Sequence, residues 1–143
     1  RGVAYTIEAL RCAGDAVIVG VGFDLVEIDR VERLLHGKGD RALQRLFVER
    51  EVTYATARAR PAMHLAARLA AKEAAFKALA GSESARLIGW KDIEVVSRPG
   101  HAPELVLHGR AQLRAEVLGV RRHFLTLSHT DTTAGAVVVL EAD

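Results

Sequence analysis

Asp24 closes the apolar run Ala16-Val-Ile-Val-Gly-Val-Gly-Phe23, and Glu73 and Lys77 lie four residues apart in Ala71-Lys-Glu-Ala-Ala-Phe-Lys77. Two carboxylates able to meet, with a lysine one turn beyond, suit a hard divalent cation and a polyphosphate. Mg²⁺ takes only one or two carboxylates and completes its shell with water and phosphate oxygens. The chemistry indicated is of the phosphoryl-transfer type. Each residue alone also has an ordinary reading. Glu73 and Lys77, with the acid nearer the N-terminus, read as a surface ion pair worth about 0.3–0.5 kcal/mol. Asp24 can cap a following helix, and His129 can be a satisfied histidine at a strand end. Gly20-Val-Gly22 is followed by no GxGxxG, and no GK[ST] occurs anywhere. Those glycines therefore read as a bend or close packing rather than a phosphate loop.

The elements that must position these residues follow from periodicity. Residues 17 to 24 form a β-rich run, continuous enough to be buried on both faces. Residues 27 to 35 carry Ile28, Val31, Leu34 and Leu35 at helical spacing, closed by His36-Gly-Lys-Gly39. Asp40 caps a second helix with Leu43, Leu46 and Phe47 inward and Arg41 and Arg45 on a shared outer face. Pro61 opens the longest helix, running to about Ala80 and ended by Gly81-Ser82. Leu65, Leu69, Phe76 and Leu79 recur on one side of it, and alanines at 66, 67, 70, 71, 74, 75 and 78 admit close neighbours. Further on, strands over 92–97 and 104–108 flank a turn. A helix over 111–118 stops at Gly119, and strands over 123–128 and 134–140 complete the chain.

The 143 residues, half of them hydrophobic, suffice for one domain with its own core. We assign that domain to residues 16–143 and treat residues 1–15 as an N-terminal extension without an assigned role. Cys12 is the only cysteine, which excludes an internal disulfide and any Cys/His zinc spacing. Apolar stretches are about a strand long, and Glu8 interrupts what would have to be a signal peptide's apolar region. The expectation is a soluble cytoplasmic protein without a membrane partner. Net charge is only +2, yet residues 30 to 60 hold Lys/Arg at 30, 33, 38, 41, 45, 50, 58 and 60 against Asp/Glu at 32, 40, 49 and 51. That stretch would attract an acidic partner. Nucleic acid is disfavoured, because the basic segment offers only Phe47 and Tyr54 for stacking on bases.

In order and spacing, these segments resemble the holo-acyl-carrier-protein synthase group of the 4′-phosphopantetheinyl transferase superfamily. Ile18-Val-Gly-Val-Gly-Phe-Asp-Leu-Val-Glu-Ile-Asp-Arg30 is similar to the family's opening strand with its metal aspartate. Leu65-Ala-Ala-Arg-Leu-Ala-Ala-Lys-Glu-Ala-Ala-Phe-Lys77 is similar to its signature helix. The likeness continues through Trp90-Lys-Asp-Ile-Glu-Val95, residues 100–111, Leu127-Ser-His-Thr130 and residues 134–139, and so spans roughly 17 to 140. Leu69 stands where the family usually has phenylalanine, Phe23 where it has a smaller residue, and residues 1–15 have no counterpart.

The resemblance implies an α+β fold with helices packed on a mostly antiparallel sheet around one long central helix. It implies transfer of 4′-phosphopantetheine from coenzyme A to a serine of an apo acyl carrier protein, releasing adenosine 3′,5′-bisphosphate. By the same resemblance Asp24 and Glu73 would hold Mg²⁺, and Lys77 would sit beside the coenzyme's phosphates and assist the departing oxygen. His129 and Arg68 would bind the phosphates of its nucleotide end. Glu73 or a water on the metal would accept the serine's proton. Arg30 matches a position that contacts the carrier, and the assembly implied is a homotrimer with sites between protomers. A non-catalytic carrier-binding relative and a Mg²⁺-dependent nucleotide hydrolase are the other classes compatible with these residues. The sequence does not assign the carrier to fatty acid or polyketide synthesis.

Overall fold

The structure, a computed structural model, describes residues 15–37, 39–79 and 86–143. The assignments made above to residues 1–14, Cys12 and Glu8 among them, and to the helix end at Ala80-Gly-Ser82 lie outside the described residues, as does Lys38 in the first helix stop.

Strand β1 (Val17–Glu27) leads into α1 (Ile28–Gly37), α2 (Gly39–Leu46), α3 (Glu49–Thr56) and the long α4 (Pro61–Leu79). After a 3₁₀ turn at Trp90–Asp92 come β2 (Ile93–Val96), β3 (Glu104–Leu107), α5 (Gly109–Val117), β4 (Val120–His129) and β5 (Thr133–Ala142). The strands form two antiparallel sheets, one of order β1-β5-β4 and one a β2-β3 hairpin. The architecture is α+β, as expected.

Helix α4 is the centre of the molecule. Its sequence is apolar almost all round, and Leu65, Leu69 and Leu79 together with Ala66, Ala67, Ala70, Ala71, Ala74, Ala75 and Ala78 are buried. The large apolar side chains recur on one side as expected, and the buried alanines leave the helix enclosed by neighbours on most of its other sides as well. The alanines let β1 come exceptionally close. A Cβ placed on Gly22 would lie 1.7 Å from the Ala74 carbonyl oxygen, and one on Gly20 would lie 2.2 Å from that of Ala78. Close packing, not phosphate binding, explains that glycine pair.

Burial of β1 on both faces is also corrected. Gly22 and Val26 face inward, whereas Val21, Phe23 and Leu25 are 59, 55 and 58% exposed, with Val17, Ile18 and Phe124 exposed as well. An unbroken apolar run need not be doubly buried when the sheet has a helix on one face only. Helix α3 carries no apolar periodicity and is not foreseen by it. It packs instead through Ala55 and the buried Glu51, which accepts the Val48 N–H at 3.0 Å and pairs with Lys72 at 2.9 Å. Asp40 lies inside the first turn of α2 rather than ahead of it. No helix among the described residues is long and apolar enough to cross a membrane.

Candidate active site

Alternation along β1 decides where Asp24 points. Residues 22, 24 and 26 share the face turned to α4, and the contact at Gly22 draws the strand onto the helix. Asp24 is thereby brought between Glu73 and Lys77. Lys77 donates to Asp24 Oδ1 at 2.8 Å and to the Phe23 carbonyl oxygen at 2.9 Å. The lysine thus serves the strand across from it, so the reading of Glu73 and Lys77 as a plain surface ion pair gives way. Asp24 is not a helix cap either, since it sits within the strand and α1 starts only at Ile28.

The two carboxyls behave as a coupled pair. Burial raises Glu73 first, and the proton it shares with Asp24 and that neighbour's negative charge add to the effect, pushing Glu73 up to about 7 against the charges of Arg30 and Lys77. Burial works on Asp24 in the same direction. The hydrogen bond with Glu73 and the hydrogen bond and charge of Lys77 together outweigh it and hold Asp24 below the usual carboxylate range. Asp24 Oδ2 is buried and receives no hydrogen bond from any N–H or hydroxyl. A buried anionic oxygen beside a carboxyl that resists ionisation is an arrangement a cation would relieve. The donors are all hard oxygens, which fits Mg²⁺ better than a thiophilic metal. Among the described residues no group of three His, Cys, Asp or Glu side chains could hold a metal. The pair therefore suits an ion that keeps water or substrate oxygens in its remaining positions.

Arg68 lies five residues before Glu73 on α4, about 7.5 Å along the axis. It is only 2% exposed. It lines a cavity of ≈ 270 Å³ together with His64, Ser97, Arg98, His101 and His129. His129, the last residue of β4, is exposed, with Nδ1 3.2 Å from the Thr130 carbonyl oxygen. Burial, then the charges of Arg68, Arg58, His129 and Arg60, hold His64 below the ordinary histidine value. The structure thus gathers the sequence-derived residues into two groups along the same helix, Asp24, Glu73 and Lys77 in one and Arg68 and His129 in the other. Tyr54, His64 and Ser97 belong to the second group and escaped the sequence reading. They reach it from three segments whose spacing carries no common period.

Residues 20–134 match the model of the 4′-phosphopantetheinyl transferase superfamily. A holo-[acyl-carrier-protein] synthase of Thermus thermophilus is 50% identical over 126 residues, covering 88% of this chain and 95% of that protein. One from Nitratidesulfovibrio vulgaris is 47% identical over 126 residues, covering 88% of this chain and all of the relative. The crystal structure of a Bacillus anthracis holo-(acyl-carrier-protein) synthase in complex with CoA (3′,5′-ADP) superposes with a TM-score of 0.69 at 31% identity, covering 88% of this chain and 98% of the other.

Proposed function

The chain belongs to the 4′-phosphopantetheinyl transferase superfamily, and on that premise we propose that Asp24, Glu73 and Lys77 carry out its reaction with Mg²⁺ as cofactor. The enzyme transfers phosphopantetheine from coenzyme A to the serine of an apo acyl carrier protein. The serine oxygen forms a bond to the phosphorus that bears the pantetheine arm. The bond from that phosphorus to the bridging oxygen breaks, the serine proton departs, and adenosine 3′,5′-bisphosphate leaves.

One observation supports the metal assignment above all others: Asp24, with Oδ2 buried and receiving no N–H or hydroxyl hydrogen bond, lies within hydrogen-bonding reach of a Glu73 whose pKa is pushed up to about 7. Asp24 and Glu73 would hold the ion, which would supply charge neutralisation on the pyrophosphate. Lys77, anchored through Phe23 and Asp24, presents a fixed ammonium to the oxygen that takes on charge as the diphosphate bond breaks. Glu73, or a water on the ion, would accept the serine's proton. Arg68 and His129, beside this centre, bind phosphates of the coenzyme's nucleotide end.

Arg30, Arg33, Arg41 and Arg45 are exposed on α1 and α2 and form the face that receives the acidic carrier. Copies of the chain meet through the outer face of β1 and form a homotrimer with sites between protomers. The exposed Val21, Phe23 and Leu25 support this assembly. A light-scattering mass of one chain for the active species would overturn it. The reaction is tested by incubating the protein with coenzyme A, Mg²⁺ and an apo carrier and weighing the carrier by mass spectrometry. A gain of one phosphopantetheine is expected, abolished by EDTA and restored by Mg²⁺. An unmodified carrier with coenzyme A consumed would instead mean hydrolysis.

A further inference from the structure

Arg68 is a buried cation with an unusual set of neighbours. Its Nη1 donates to the His64 carbonyl oxygen at 3.3 Å, and its Nη2 donates to Ser97 Oγ at 3.0 Å. The guanidinium carbon stands 4.0 Å from the centre of the Tyr54 ring, whose plane also carries the Arg58 guanidinium at 3.3 Å and meets His64 edge-on at 5.7 Å. Nε is buried and unpartnered. Among the described residues no carboxylate pairs with this guanidinium, and burial lowers its affinity for its proton. The charge of Glu51 offsets part of this burial from a distance, and a desolvated guanidinium with an unpartnered Nε is completed best by an anionic ligand in direct contact.

A guanidinium is selective because its plane and its fork of N–H groups are fixed, so whatever fixes them sets how well it reads a phosphate. We propose that Tyr54 and Ser97 are positioning residues that hold the Arg68 plane for the coenzyme's phosphate, an inference that rests on reading Arg68 as a phosphate ligand. Tyr54 comes from α3 and packs against one face of the guanidinium. Ser97 follows β2, at the root of the turn that brings Arg98 and His101 into the same cavity. Between them they take up one face and one terminal nitrogen and leave Nε for the ligand. Tyr54 does this with both its ring face and its hydroxyl, which hydrogen-bonds the guanidinium.

The test compares Tyr54→Leu, Tyr54→Phe, Ser97→Ala and Arg68→Gln. The readouts are KM for coenzyme A, KM for carrier, kcat, the Kd of adenosine 3′,5′-bisphosphate by calorimetry, and the thermal midpoint. Tyr54→Leu and Ser97→Ala should raise the coenzyme KM and the bisphosphate Kd about five- to tenfold, with kcat and the carrier KM within about twofold. Tyr54→Phe, which keeps the ring face and loses the hydroxyl's hydrogen bond, should raise the coenzyme KM and the bisphosphate Kd by less than Tyr54→Leu does. If Arg68→Gln weakens coenzyme binding while folded Tyr54→Leu and Ser97→Ala leave it unchanged, the positioning role is overturned and the ligand role of Arg68 stands. If Arg68→Gln itself leaves the coenzyme constants unchanged, the underlying assignment falls. A loss confined to kcat and thermal midpoint would mark both residues as merely structural and overturn the proposal. Should Tyr54→Leu fail to fold, Ser97→Ala decides alone.

Discussion

Asp24 and Glu73 share one proton between two carboxyls, and that fixes how they respond to replacement and to pH. Asp24→Ala and Glu73→Gln should each lower transfer by about 100-fold or more, the several kcal/mol that neutralising the phosphates is worth, while circular dichroism stays native. Full activity of either variant at limiting Mg²⁺ would refute the metal assignment. The pH argument runs through Glu73, whose pKa rises from 4.5 in a free chain to about 7 in the fold. Between those values the folded state binds more protons than the unfolded one, so this residue's contribution to stability is full below about 4.5 and lost as pH climbs through 7. The thermal midpoint of wild type should therefore fall relative to that of Glu73→Gln between pH 5 and 8, and Mg²⁺ should restore more of it at pH 8 than at pH 6. Both measurements are thermal melts with and without the ion. Asp24, Glu73 and Lys77 stood out as candidates by residue type and spacing, and His129 only through the family resemblance. Their mutual arrangement was not readable, because a lysine four residues from a glutamate looks the same whether it serves that glutamate or a strand across from it.

At the scale of elements, α4 and β1 are held together by the absence of side chains. Gly22→Ala would put a carbon 1.7 Å from the Ala74 carbonyl oxygen, so the strand must lift off the helix. We expect a cost of about 3 kcal/mol in urea denaturation, with transfer reduced further as Asp24 is carried away from Glu73. A second test concerns the pair Glu51 and Lys72, both fully buried, where Lys72 also donates to the Trp90 carbonyl oxygen at 3.0 Å and to that of Ile93. Lys72→Met would strand a buried carboxylate and should cost about 3–5 kcal/mol by the same measurement. Most element types were legible from apolar spacing. Helix α3 was not, because its buried face is built from a glutamate and an alanine, and a charged residue that turns inward to meet a lysine far along the chain leaves no periodic trace. The exposed outer face of β1 was misread for the complementary reason: composition reports that a strand is apolar, not which of its faces has a neighbour.

At the scale of the whole molecule, the basic stretch begins close to the carboxylate pair, since the charge of Arg30 is felt by Glu73. Arg30→Glu should raise the KM for carrier at least about tenfold at low salt while changing that for coenzyme A about twofold or less, and added salt should narrow the difference. An unchanged carrier constant, together with a wild type insensitive to salt, would remove α1 from the docking surface. The positive excess over residues 30 to 60 was visible in the sequence, but its nearness to Glu73 depends on α1 packing against α4, which no local pattern reports. Strand β1 has the further property of facing two ways at once. Its even-numbered residues carry Gly22, Asp24 and Val26 to the helix, and its odd-numbered residues Val21, Phe23 and Leu25 stand open on the other side. Whatever settles on the open side bears on the backbone that sets the height of Asp24. If that occupant is another copy, as in the trimer proposed above, catalytic output per chain becomes a function of how crowded the solution is with other copies. On serial dilution the specific activity should collapse along the same curve as the mass-action loss of the assembly, and Phe23→Ser should move that curve to higher protein concentration without touching a single reacting group.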